Sequence, residues 1–237
     1  MKKNSTIALM FSGGIDSAYT AVCLSRTYEC VHLLTYTNGY GHYHIDRAAR
    51  RAEEIRSKTA GRFVHAVISI RELFDMIVLD SIKADYVRYG SGFIWCLGCK
   101  IAMHTQSILY CLENKIPAIT DGSSRETDEM VEQMPPSLAC ITGSYNTYYI
   151  DFLSPEYNVR RDEKITFLSK AGFKTGIRIG DRFMGIQPVC IPGELYYLPY
   201  LLFNKPLNHD EKNVCSYIHD KLKHARTYID TYAHSAK

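Results

Sequence analysis

A short apolar run, Thr6-Ile7-Ala8-Leu9-Met10-Phe11, opens directly onto Ser12-Gly13-Gly14-Ile15-Asp16-Ser17, after which Ala18, Ala21, Val22 and Leu24 recur at helical spacing. That order predicts a buried strand, a tight loop and a helix. It constrains the whole chain, because a strand that hands over to a helix on a glycine turn starts a unit that builds parallel sheets covered on both faces. The alternation continues. Cys30 to Tyr36 repeats the buried-strand pattern, Ile45 to Lys58 reads as an exposed amphipathic helix, and Phe63 to Ile70 is rich in β-branched residues. Helices are expected from about Arg71 to Tyr86 and from about Gly98 to Asn114, around the break Gly90-Ser91-Gly92, and Ile116 to Thr120 reads as a fourth strand. The expected fold class is α/β, a doubly wound parallel sheet of about five strands, with ligands at the carboxyl ends of the strands.

Beyond Met134 the pattern weakens. Pro135-Pro136 reads as a break, Tyr145 to Phe152 as a fifth strand and Arg161 to Ala171 as a helix capped by Gly172. A glycine- and proline-bearing, loop-rich stretch follows, then a polar helix from about His209 to Tyr232. The division expected is residues 1–172 as the α/β domain and 173–237 as a C-terminal extension.

With 237 residues, 46% of them hydrophobic, the chain can bury a real core, which argues against a disordered or fibrous class. A net charge of +3 names no partner. The few apolar residues after Met1-Lys2-Lys3-Asn4-Ser5 fall short of a signal-peptide core or a membrane span, so a cytoplasmic protein without membrane contact is expected. In a reducing compartment the eight cysteines point to metal binding or catalysis rather than a disulfide frame, with Cys23, Cys30, Cys111 and Cys215 expected to pack and Cys140 to be buried.

Phosphates need converging backbone N–H donors, close backbone approach and, ideally, the positive end of a helix. Ser12 to Ser17 offers all three. The loop lacks the Gly-Lys-Ser/Thr ending of a Walker A loop, and Asp16 at the helix start suits Mg²⁺ held with pyrophosphate oxygens. Here the sequence resembles the PP-loop ATP pyrophosphatases, a superfamily that includes tRNA thiolases, deazaguanine nitrile synthases and NAD and GMP synthetases. Ser12, Gly13, Gly14, Asp16 and Ser17 match its signature position by position. The resemblance implies an adenine nucleotide α-hydrolase-like fold and cleavage of ATP to AMP and pyrophosphate through an adenylated substrate. It also implies an adenine-contacting segment at Thr35-Tyr36-Thr37. A further loop, Asp121-Gly122-Ser123-Ser124-Arg125-Glu126-Thr127-Asp128, would bring Gly122 and Arg125 to the nucleotide and Asp128 to a second Mg²⁺. This loop departs from the Gly-His and paired-Asp loop of tRNA thiolases and is nearer that of NAD synthetases. Glu126, Asp128 and Glu129 read equally as the acidic first turn of a helix.

Cys96-Leu97-Gly98-Cys99 puts a thiol pair at an expected helix start, where the dipole is expected to stabilise thiolates, beside Lys100, which either reaches the nucleotide phosphates or lies at the surface. Alone, the pair fits half a zinc site, a redox pair or two cluster ligands. Some ninety residues later Cys190 stands in the proline-flanked segment Pro188-Val189-Cys190-Ile191-Pro192. Three thiolates on a cubane leave one iron open. The order of Cys96, Cys99 and Cys190 is similar to the iron–sulfur branch of the tRNA thiolases, which implies a [4Fe–4S] cluster, with zinc as the alternative and His104 its imaginable fourth ligand. By this resemblance Asp16, Cys96, Cys99 and Cys190 carry the catalysis. The expected acceptor is a nucleobase, nucleoside or tRNA, served by a sulfur donor.

The remaining features are weaker. Arg50 and Arg51 are expected to pair with Glu53 and Glu54 on a solvated helix, and Lys174, Arg178 and Arg182 form another anion surface. The tyrosines of the tail suit a core or a homodimer surface. An ammonia-using ligase of the deazaguanine type and a nucleotide-binding sensor without turnover are the rival functions. The first is disfavoured by the lack of four closely spaced cysteines.

Overall fold

The computed structural model describes residues 4–90, 92–127, 130–175, 187–203, 207 and 209–235. Its main sheet has five parallel strands: β1 (Asn4–Met10), β2 (Tyr28–Thr37), β4 (Arg62–Ser69), β5 (Ala118–Thr120) and β6 (Asp151–Leu153), in the order β4-β2-β1-β5-β6. The chain winds outward from β1 through β2 to β4, then returns to place β5 on the other side of β1. Winding reverses between β1 and β5, so the crevice at their carboxyl ends is the topological switch point where ligands bind in open α/β sheets. A two-residue strand, β3 (His42–Tyr43), lies outside this sheet and pairs antiparallel with β7 (Val189–Cys190).

The central strands are apolar on both faces because both are covered. Ile7, Leu9, Val31 and Leu33 are fully buried under α1 (Ile15–Thr27), α2 (Asp46–Lys58) and α7 (Arg161–Lys170). The opposite face, with Ala8 and Leu34, meets α3 (Arg71–Ile77), α5 (Phe93–Asn114), α6 (Pro135–Asn146) and α9 (Glu211–Ser235). Each such Leu or Ile contributes roughly 1.5–3 kcal/mol by leaving water. A short 3-10 turn (Leu79–Ser81) and α4 (Ile82–Tyr89) link α3 to α5, and α8 (Ile191–Phe203) follows β7 directly.

The chain beyond residue 172 shares the core of the α/β unit: Val214, Tyr217, Ile218, Ala225 and Ile229 of α9 are buried against α5 and its neighbours. Gly98 is what lets the two helices approach, since a Cβ there would lie 2.6 Å from both Tyr217 Oη and Val78 Cγ2. Tyr217 uses the approach to donate to the Ile94 carbonyl at 2.9 Å.

Several expectations are corrected. α5 begins at Phe93 rather than near Gly98, so Cys96 and Cys99 lie within its first turns. The fifth strand spans only Asp151–Leu153, because Pro135-Pro136 opens α6 instead of ending structure, and that helix runs through Tyr145 and Asn146. Proline is accepted in a first helical turn, where its missing N–H costs no bond. The stretch taken as loop contains α8, with Pro199 inside it. Cys140 is half-buried rather than buried. Among the described residues no helix is long and apolar enough to cross a membrane.

Candidate functional site

At the switch point β1 ends and Gly13 turns the chain in the left-handed region, at φ 78°, before Gly14 caps α1. A side chain at Gly13 would meet the Ala48 Cα at 3.0 Å, so helix α2 presses on the loop. Ser12 Oγ lies 3.2 Å from Ser17 Oγ and accepts from the Gly14 N–H at 3.3 Å. Gly122 closes the other side: a Cβ there would sit 3.0 Å from the Ser17 backbone nitrogen. The loops after β1 and β5 therefore meet backbone to backbone, leaving N–H groups at the start of α1, the geometry that receives phosphate.

Charge around this loop is dense and paired. Asp16 receives Lys164 Nζ at 2.9 Å and Arg161 Nη1 at 3.1 Å, both from α7. The Lys164 side chain is only 1% exposed, so its charge has been brought out of water for this position. Across the crevice, Asp121 is buried and accepts from Lys100 Nζ at 3.0 Å and Ser123 Oγ at 2.6 Å. Burial alone would push the Asp121 carboxyl up, but the Lys100 charge and the Ser123 bond outweigh it and hold the group below the ordinary carboxylate range. Lys100 thus ties the cysteine-bearing helix to the loop after β5.

The three cysteines approach one another at the mouth of α5. Pairing of β3 with β7 sets Cys190 opposite His42, and Ile191 N–H donates to the Gly41 carbonyl at 3.0 Å. A Cβ at Gly193 would lie 3.4 Å from Cys190 Sγ and 3.7 Å from Cys96 Sγ, so both sulfurs flank one point. Cys99 Sγ accepts from Asn38 Nδ2 at 3.4 Å. Burial pushes all three thiols up, Cys99 to about 12, where the Asn38 bond and Lys100 partly offset it. Each of the three also feels the Glu132 carboxylate, which Tyr197 Oη holds at 2.6 Å. The helix start does not stabilise free thiolates here, contrary to expectation; desolvation wins.

Among the described residues no group of three His, Cys, Asp or Glu side chains closes on a point tightly enough for a single metal ion. An ion draws thiolates to about 2.3 Å. A four-iron cube is larger and holds its thiolates further apart, and its charge supplies what three buried thiols need to ionise; the donor set fits it. His104 takes no part. It is buried, shares a bond of 2.9 Å with Tyr145 Oη, and senses Lys100 and Asp121 rather than the cysteines.

No protein-family model matches the sequence, and no curated protein matches it. Solved structures do match. The U34-tRNA thiolase NcsA from Methanococcus maripaludis, with its [4Fe-4S] cluster, is 14% identical with a TM-score of 0.51 over 97% of this chain and 73% of that one. A 4-thiouridine synthetase in complex with RNA and ATP is 14% identical with a TM-score of 0.53, over 95% of this chain and 52% of that one. An NMN synthetase from Francisella tularensis is 15% identical with a TM-score of 0.43, over 94% and 87% of the two chains. This chain has the adenine nucleotide α-hydrolase-like fold.

In that fold Ser12, Gly13, Gly14, Asp16 and Ser17 and the loop glycine Gly122 come together as described. The segment after β2 behaves differently. Thr35 Oγ1 donates to the Phe11 carbonyl at 2.7 Å, Tyr36 Oη bonds Ser107 at 2.6 Å, and the backbone of both is paired with β4. Only Thr37, at the strand end, keeps a hydroxyl without a hydrogen bond to the described residues. Arg125 is exposed in a 3-10 turn, and Glu126 beside it accepts the Arg161 N–H at 2.7 Å. Asp128, Glu129, Arg178 and Arg182 lie outside the described residues.

Sequence reasoning missed Lys164 and Arg161, because nothing local ties α7 to a loop 145 residues earlier. It misjudged Arg51, which pairs with Glu54 as expected but is buried and donates from Nε to the Gly13 carbonyl at 3.2 Å, bracing the glycine loop. Arg50 pairs with Asp46, not Glu53. Glu132 had no sequence signal, and Tyr197, read only as one of the tail tyrosines, is buried against it.

Proposed function

We propose that this chain is an ATP pyrophosphatase that adenylates a carbonyl oxygen of a nucleobase, nucleoside or tRNA base and replaces that oxygen with sulfur. One observation carries the reading: Cys190, delivered by the β3–β7 pairing, stands beside Cys96 and Cys99 on the helix whose Lys100 reaches the loop after β5. The fold shared with two sulfur-inserting enzymes, one holding a [4Fe-4S] cluster, supports it.

ATP binds with its phosphates on the backbone N–H groups of Gly13, Gly14 and the start of α1. Asp16 is the carboxylate placed for Mg²⁺, and Lys164 and Arg161 carry the positive charge that pyrophosphate needs as it leaves. The carbonyl oxygen attacks the α-phosphorus, the bond to the β-phosphate oxygen breaks, and pyrophosphate departs. A sulfur nucleophile then adds to the activated carbon, and AMP leaves with the original oxygen. Cys96, Cys99 and Cys190 would hold a [4Fe–4S] cluster. When bound, that group supplies an iron left open by three thiolates for a sulfur species.

Asp16→Asn tests the adenylation. AMP formation with a competent acceptor is expected to fall by at least about 10²-fold while ATP binding persists. A wild type that binds ATP and forms no AMP with any thiolation or amidation substrate supports the sensor instead. AMP formation coupled to ammonia rather than sulfide supports the ligase.

A further inference from the structure

The loop after β2, residues 38–43, holds two of the three cysteines by different means. Its β3 strand pairs with Cys190 through the backbone, and its first residue, Asn38, reaches Cys99 through a side chain. Asn38 is fully buried, at 0% exposure. Its amide orientation follows from two bonds: Oδ1 accepts the Tyr40 N–H at 2.9 Å, which leaves Nδ2 to donate to Cys99 Sγ at 3.4 Å. The turn is fixed on the far side as well, by Arg71 lying over the Tyr40 ring at 5.1 Å and by Gly39 and Gly41 at φ 77° and 133°. A buried amide with one hydrogen aimed at a sulfur is not explained by the turn, for which any acceptor at position 38 suffices.

We propose that Asn38 is a positioning residue of the sulfur centre, which orients Cys99 Sγ and, by donating to it, raises the electron affinity of the metal group that the sulfur binds. The inference rests on the cluster reading above. A hydrogen bond to a ligating sulfur stabilises the more negative, reduced state, and such outer contacts also set how firmly a ligand is held. Nothing else among the described residues donates a side-chain hydrogen bond to Cys99. Asn38 also directly follows Thr37, so the sulfur centre is anchored to the strand end at which the adenine is expected.

Two substitutions separate the turn from the sulfur contact. Asn38→Ser and Asn38→Asp both keep an oxygen for the Tyr40 N–H and remove the amide donor, the first without adding charge. Wild type and both variants are reconstituted anaerobically with iron and sulfide, assayed for iron, titrated for midpoint potential, and timed for iron loss to a chelator. The expected result is iron in all three, a lower potential in Asn38→Ser, a still lower one in Asn38→Asp, and roughly tenfold faster iron loss in both. Equal potentials and equal rates in iron-loaded variants would overturn the role of Asn38 and leave the cluster reading intact. If the serine variant fails to load, the aspartate variant decides. A wild type that takes up no iron overturns the cluster reading itself, and this inference with it.

Discussion

The glycine loop Ser12 to Ser17 and the cysteines Cys96, Cys99 and Cys190 sit on the same rim of the sheet and are built in opposite ways. The loop is made by contiguous residues, is surrounded by charge, and is already paired: Asp16 with Lys164 and Arg161, Asp121 with Lys100. The cysteines come from two segments some ninety residues apart and are desolvated, with the carboxylate of Glu132 rather than an added cation beside Cys96. The difference teaches how each treats charge. The loop has its cations already neutralised by carboxylates, whereas at the cysteines burial and the Glu132 charge outweigh the nearby Lys100 and keep the thiols from ionising.

The sharpest way to break this comparison is Lys164→Met. If the buried ammonium is there for pyrophosphate rather than for folding, AMP formation falls by about 10²–10³-fold while the iron bound at the cysteines is unchanged. Equal loss of both would mean that the two regions are one structural unit.

Their legibility differs for the same reason. Strand, glycine loop and α1 are local, so periodicity and glycine chemistry reveal them. The cysteines were legible as residue types, whereas their meeting depends on a two-residue ribbon, His42–Tyr43 with Val189–Cys190, too short to leave a pattern. Lys164 was hidden because burial of a lysine cannot be read from a polar helix. Helix α6 was hidden because Pro135-Pro136, which opens it, is indistinguishable in sequence from a break. The use of Gly98, admitting Tyr217, was hidden because it depends on a helix more than a hundred residues later.

A smaller effect sharpens the sulfur half. Burial, then the Glu132 charge, raises the Cys96 thiol. Removing the charge in Glu132→Gln lowers that pKa, and below a thiol's pKa the thiolate fraction changes tenfold per unit. Alkylation of Cys96 in metal-free protein, followed by peptide mass spectrometry near pH 9, is expected to speed up by several-fold, its pH profile moving to lower pH. An unmoved profile would show that Glu132 faces away from the thiols.

The most direct test is anaerobic reconstitution of the wild type and Cys190→Ala, with iron, sulfide and zinc analysis. The account predicts about four irons with matching sulfide in the wild type and their loss in the variant. Zinc or no metal in the wild type, or equal iron in both, would contradict it.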